Sequence, residues 1–197
     1  GSIRTVIDKK YPDYGVSQTE KMGMNSYNVE DDRKLVWKIL PETMKIGEFN
    51  TQKATTEMYG RKWIAWFSTE LPFQDGPYKF HGLPGLIVKV EDVTQSHIIE
   101  LKGVKKLPND FALPEKKDMF SGNTITLNYP KFKKVFVENR NNPSSSMRQL
   151  QGSSTKFVMK DQDGKEIDFN KMMREQDEKA KEANKKNNNL LELDLLK

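Results

Sequence analysis

The run Lys62-Trp63-Ile64-Ala65-Trp66-Phe67-Ser68 most restricts what this chain can fold into. Read as a strand, it puts Trp63, Ala65 and Phe67 on one face and Ile64 and Trp66 on the other. A half-solvated antiparallel strand alternates apolar with polar, so the spacing predicts a central strand with cover over its second face as well. Gly60-Arg61 just before it predicts a turn, which makes residues 53–59 the hairpin partner. Residues 86–91 and 97–102 bracket the polar stretch 92–96 as a second hairpin. The expected fold is mainly β, or α+β: a curved antiparallel sheet, an open or half barrel, with one covering helix and a polar helix near the C-terminal end.

With 197 residues, 35% of them hydrophobic, there is material for one modest core. No apolar run approaches the ~18 residues of a membrane-spanning helix. The chain has no cysteine, which removes thiol nucleophiles, Cys-ligated zinc, iron–sulfur clusters and disulfide scaffolds together. The compartment stays open, because Gly1-Ser2 reads as a cloning remnant and a signal peptide could have been removed upstream of it. The net charge of +5 gathers at Lys131, Lys133, Lys134, Arg140, Arg148 and Lys156, which only Glu138 opposes. A solvated helix face explains this band better than nucleic acid, for which there is no motif; peripheral contact with lipid headgroups stays open.

Three segments follow from texture. Residues 1–34 are polar and predicted to be partly irregular, with a strand near 27–29. Residues 35–169 form a single β-rich domain that opens with short apolar runs at 35–40, 44–49, 53–59 and 62–68. Within it, Asn128-Tyr129-Pro130 followed by Phe132, Val135 and Phe136 at helical spacing predicts a helix over 130–140, whose apolar stripe would cover the sheet's second face. Residues 141–154 read as a loop, and 157–160 with 165–169 as a hairpin around Asp161-Gln162-Asp163-Gly164. Residues 170–197 hold a helix over 171–186 with pairs such as Glu175 with Lys179 and Asp177 with Lys181. A solvated helix has that pattern, and the apolar tail Leu190-Leu191-Glu192-Leu193-Asp194-Leu195-Leu196 after it is expected to dock.

Three prolines and three glycines fall in the stretch Leu71-Pro72-Phe73-Gln74-Asp75-Gly76-Pro77-Tyr78-Lys79-Phe80-His81-Gly82-Leu83-Pro84-Gly85-Leu86-Ile87, which implies a fixed loop. Pro84 holds its own φ and extends Leu83, and Gly85 is expected at positive φ in a type II turn. Gly82, Leu83, Pro84, Gly85, Leu86 and Ile87 would then be a structural corner, with Leu86 and Ile87 on opposite faces of the next strand. This segment resembles the GLPGLI family of Gram-negative envelope proteins. Further matches are Lys53-Ala54-Thr55, Gly60-Arg61, Ala65-Trp66, Gly76-Pro77-Tyr78-Lys79-Phe80 and the end Asn188-Asn189-Leu190-Leu191-Glu192-Leu193, where Leu190 replaces the family's Pro. The resemblance implies an exported protein, periplasmic or outer-membrane associated, and supplies no catalytic residues.

The residues offer little chemistry. His81 and His97 lack acidic neighbours at a ligand spacing, so no metal is expected. Ser153-Ser154-Thr155-Lys156 matches Ser-x-x-Lys only formally, and Asp161 to Asp168 lacks the third ligand position and the final Glu of a calcium loop. Glu70 and Asp75 could be drawn as an acid and base, but nothing fixes their separation. The stronger signal is aromatic: Trp63, Trp66, Phe73, Tyr78 and Phe80, with Leu83, are the candidate contact residues, although a small domain's core has the same composition. The expected function is an exported, non-enzymatic binding or accessory protein without a cofactor, contacting an envelope protein or peptide through the aromatic and proline-rich loop. A carrier of a lipid or other hydrophobic ligand, with a cavity bordered by Trp63, Trp66 and Phe80, and a hydrolase using Glu70, Asp75 or His81, are the rivals.

Overall fold

The computed structural model describes residues 5–23, 25–108, 111, 124–145, 148, 162, 164, 166 and 168–197. At its centre lies the hairpin of β5 (Phe49–Met58) and β6 (Arg61–Ser68). The two residues between them, Tyr59 and Gly60, have φ of 59° and 72°, the left-handed pair that a tight hairpin turn needs. The sheet is completed by β4 (Lys38–Ile46), β7 (Leu86–Asp92) and β8 (Ile98–Glu100), in the antiparallel order β4-β5-β6-β7-β8. The runs expected at 35–40 and 44–49 meet in one edge strand, β4, with the turn to β5 at 47–48; a register irregularity between Ile39 and Thr43 absorbs Pro41, which has no N–H to give to a ladder.

A second sheet departs from the expectation. The polar N-terminal segment, predicted to be partly irregular, forms β1 (Val6–Lys10), β2 (Gly15–Met22) and β3 (Asn25–Asp31), and β9 (Thr124–Asn128) pairs with β3 in parallel to give the order β1-β2-β3-β9. The fold is mainly β with two helices among the described residues, as expected in class, but its strands divide into two sheets rather than one curved sheet.

The helix α1 (Tyr129–Asn141) forms where predicted, with the Asn128 side chain accepting from the Lys131 N–H at 3.1 Å as its N-cap. It covers the four-stranded sheet, not the second face of β6: Tyr129 and Phe132 cluster with Tyr27 and Val29. The outer face of β6 is covered more simply. Trp66 has Lys53 and Lys89 as its direct cross-strand partners, and the Lys53 ammonium lies 6.0 Å from the indole centroid, so lysine stems shade a half-buried ring.

Helix α2 (Phe169–Lys186) is largely exposed as predicted, except that Met173 and Asp177 turn inward. The Asp177 carboxylate accepts from Ser144 N and Oγ at 2.9 and 2.8 Å and from Arg148 at 2.6 Å, which holds it below the usual carboxylate range despite the opposing effect of burial. No helix among the described residues is long and apolar enough to cross a membrane. The expected hairpin at 157–169 and the Ser153 to Lys156 stretch lie outside the described residues, apart from isolated positions near the turn.

Candidate functional site

The loop that follows β6 closes on itself. Leu86 N donates to Leu71 O at 2.9 Å, Ile87 N to Asp75 O at 3.0 Å and Gly82 N to Gln74 O at 2.9 Å, while Trp37 Nε1 reaches His81 O at 2.8 Å. The reason for Gly85 differs from the one expected. It lies outside the positive-φ region, so there is no type II turn, and the loop's positive φ values are at Tyr78, 54°, and Gly82, 90°. A Cβ on Gly85 would overlap the Ser68 carbonyl oxygen and stand 2.6 Å from its carbon and 2.9 Å from Thr69 N. The glycine is needed because two backbones touch there. Leu86 is half-buried and Ile87 buried, in keeping with the opposite facing expected.

Beneath the loop, the described residues bring together a set of buried charges from three distant parts of the chain. Lys79 is 1% exposed, and its ammonium donates to Asp31 Oδ2 at 2.7 Å and Glu192 Oε1 at 2.6 Å. Arg33, just past β3, makes a fork on Asp31 (Nε to Oδ1 2.7 Å, Nη2 to Oδ2 2.6 Å) and continues to Glu192 Oε2 and Asp194 Oδ2, both at 2.7 Å. Tyr78 OH donates to Glu192 Oε1 at 2.6 Å. The rings of Tyr59 and Tyr129 flank the guanidinium, with centroids at 4.8 and 3.3 Å.

Burial alone would push the carboxyls of Asp31 and Glu192 up. For Asp31 the hydrogen bonds from Arg33 and the charge of Lys79 outweigh it, and for Glu192 the charges of Lys79 and Arg33 do, so both lie below the usual carboxylate range. Tyr59, Tyr78 and Tyr129 are pushed well above the ordinary phenol value, first by burial and then by the charge of Glu192. These groups face one another at hydrogen-bond distance, and the arrangement locks the three segments together.

The segment locked in is the apolar tail, docked as expected. Arg61 Nη2 donates to Leu190 O and Asn189 Oδ1, each at 2.6 Å, and its Nε to Leu191 O at 3.2 Å. Its Nη1 reaches Asp92, 1% exposed, at 3.1 Å. Leu191 packs on the core of the five-stranded sheet, whereas Leu190 and Leu195 pack on that of the four-stranded sheet. The loop's other flank is clamped by Lys9 of β1, whose ammonium contacts Asp75 Oδ1 and Gly76 O at 2.5 Å and Phe80 O at 3.1 Å. Burial lowers the Lys9 pKa, against the opposing hydrogen bond and charge of Asp75.

The six candidate contact residues separate. Trp63 and Phe80, both at 0% exposure with rings 4.9 Å apart edge to face, are core, and so is Leu83; the space a ligand carrier would need between them is filled. Tyr78 belongs to the charge cluster, Trp66 lies half-buried on the outer sheet face and Phe73 is 56% exposed. The groups of the hydrolase reading have separate partners: Glu70 accepts from Asn50, Asp75 from Lys9, and His81 stacks on Tyr14 with centroids 5.3 Å apart. His97 Nε2 accepts from Arg61 at 3.2 Å. Of the basic band, Arg140 is spent on Asn184, Asn187 and Asn188, and Arg148 on Asp177. No cluster of metal-ligating side chains occurs among the described residues. Sequence reasoning does not single out Asp31, Arg33 or Asp194; Lys79 and Glu192, in contrast, both sit inside segments that carry the family resemblance.

A family model described as a protein of unknown function, Porph_ging, matches residues 58–89, which span the β5–β6 turn, β6, the loop and most of β7. No curated protein matches the chain. Among solved structures, that of PNGF-II in its P21 space group is similar, with a TM-score of 0.51 at 20% identity over 71% of this chain and 26% of that one. Its C2 form gives 0.46 at 19% identity over 69% and 25%. The chain thus corresponds to about a quarter of the length of PNGF-II, and the likeness is one of fold.

Proposed function

We propose that this chain is a GLPGLI-family binding or accessory protein of the Gram-negative envelope, periplasmic or outer-membrane associated, which holds a protein or peptide partner on the aromatic and proline-rich loop. The observation that carries this reading is the way the loop is mounted. Its inner side is pinned by Lys9 and Lys79, while its outer side presents rings: Phe73 at 56% exposure, and His81 stacked on Tyr14, with Tyr11 at 81% exposure edge-on to that tyrosine. Exposed aromatics held by a rigid base lose little entropy on binding, which is how such surfaces gain affinity.

A photo-cross-linking side chain placed at Phe73 or Tyr11 in cells that make the protein tests this. One and the same envelope polypeptide or peptide should be captured from both positions and not from exposed Glu57 on the hairpin, and cell fractionation should recover the protein in the envelope. Capture that is equal from all three positions, or recovery in the cytoplasm, would count against the reading.

A further inference from the structure

The apolar tail is held the way a folded surface holds a peptide. Residues 189–192 add to neither sheet, the short 3-10 turn Leu193–Leu196 follows them, and their attachments are made by groups elsewhere in the fold. Arg61 takes the main-chain oxygens of Leu190 and Leu191, contacts that do not depend on side-chain identity. Selection is added by acidic side chains: Glu192, 4% exposed, is met by Lys79, Arg33 and the Tyr78 hydroxyl, and Asp194 by Arg33. Main-chain capture combined with side-chain pockets is the common logic of peptide recognition. Gly60 makes room for the approach, since a Cβ there would lie 2.7 Å from Asp194 N.

The receptor groups come from the end of β3, the β5–β6 turn and the loop, while residues 187–189, which join the tail to α2, are exposed. A segment without the glutamate would leave two buried cations, Lys79 and Arg33, sharing the single buried carboxylate of Asp31, a charge imbalance that disfavours it. We propose that Arg33, Gly60, Arg61, Tyr78 and Lys79 form a peptide-recognition site for acidic, leucine-rich segments of the pattern Leu-Leu-Glu-Leu-Asp. The chain's own residues 190–194 occupy it in cis, and the site accepts the same segment in trans. The proposal uses residues other than the exposed rings and stands whether or not those rings bind a partner.

The test keeps the full chain. A site-specific protease sequence inserted between Asn187 and Asn188 is cut after folding, and the product is passed through gel filtration and native mass spectrometry. Labelled synthetic peptide 188–197, a Glu192→Gln version and a scrambled version are then offered. The expected result is that the cut segment stays with the body, that labelled wild-type peptide exchanges into it, and that Glu192→Gln competes at least tenfold less well, with the scrambled peptide inactive. Departure of the segment from a body whose circular dichroism is unchanged would overturn the proposal, as would unfolding of the body on cutting or equal competition by Glu192→Gln.

Discussion

Behind β6, Trp63 meets Phe80 at 4.9 Å and both are fully buried, with Ala54, Ala65, Phe67 and Val90 around them. At the inward positions of β2 and β3 the buried residues are Val16, Gln18, Tyr27, Val29 and Asp31. One sheet is held by apolar close packing. The other has a small apolar cluster on α1 and, at its edge toward the loop, depends on paired charges. Apolar packing is additive and tolerant, whereas a buried ionic set is sound only while complete.

The largest effect is expected from Phe80→Ala, which should cost about 3–5 kcal/mol by urea unfolding, the usual range for deleting a fully buried ring. A loss below about 1 kcal/mol would show that the filled core between Trp63 and Phe80 is not what holds that sheet. Lys79→Met should cost about 3 kcal/mol, since it leaves Asp31 and Glu192 buried beside one cation fewer. If replacing Asp31 and Glu192 by Asn and Gln in the same chain restored most of that loss, the completeness of the set, not any one bond, would be confirmed as the stabilising property. Gly85→Ala follows at about 2 kcal/mol, because the Ser68 backbone must move to admit a methyl group.

The pH dependence separates the two regions further. The carboxyls of Asp31 and Glu192 lie lower in the folded state than their ordinary values of about 3.9 and 4.3. The unfolded chain therefore binds protons first, and their contribution, complete above about pH 5, is lost as the pH falls through the folded values. Glu20, raised by burial, works in the opposite direction. The raised phenols of Tyr59, Tyr78 and Tyr129 ionise on unfolding near their ordinary value of about 10, so stability should decline above that pH. Melting temperature against pH, with phenolate absorbance as a second signal, checks both limbs, and Lys79→Met should flatten the acid one. The smallest effect belongs to the Glu57–Lys62 pair, whose side chains are 75% and 68% exposed: Glu57→Ala should stay within about 0.5 kcal/mol of the parent.

The same contrast explains what is legible in the sequence. The five-stranded meander can be read because Trp63, Ala65 and Phe67 alternate with less buried residues and Gly60 marks the turn. Of the N-terminal strands only β3 can be read, as the strand expected near 27–29; β1 and β2 cannot, because Lys9 and Gln18 occupy inward positions and erase the apolar alternation on which such a reading depends. Asp31 and Lys79 are 48 residues apart and Lys79 and Glu192 are 113 apart, so no local spacing joins them. The Tyr78-Lys79 pair and Glu192 each stand out in the sequence, but as separate motif residues. Gly85 stands out too, for a different reason from the true one, since a turn can be deduced from neighbouring residues and contact with the Ser68 backbone cannot.

The parallel pairing of β3 with β9 sets Ser26 against Thr124 and Glu30 against Asn128, whereas β4 to β8 are each joined to the next strand in the chain. During synthesis the meander can close hairpin by hairpin as it leaves the ribosome. The strands β1 to β3, made earlier, must wait for β9 before their sheet has its fourth member and its covering helix. The clasp around Glu192 closes later still, so synthesis halted after β8 would leave a folded meander beside an open sheet edge on β3, the form in which such a chain is most exposed to proteases and to pairing with other chains.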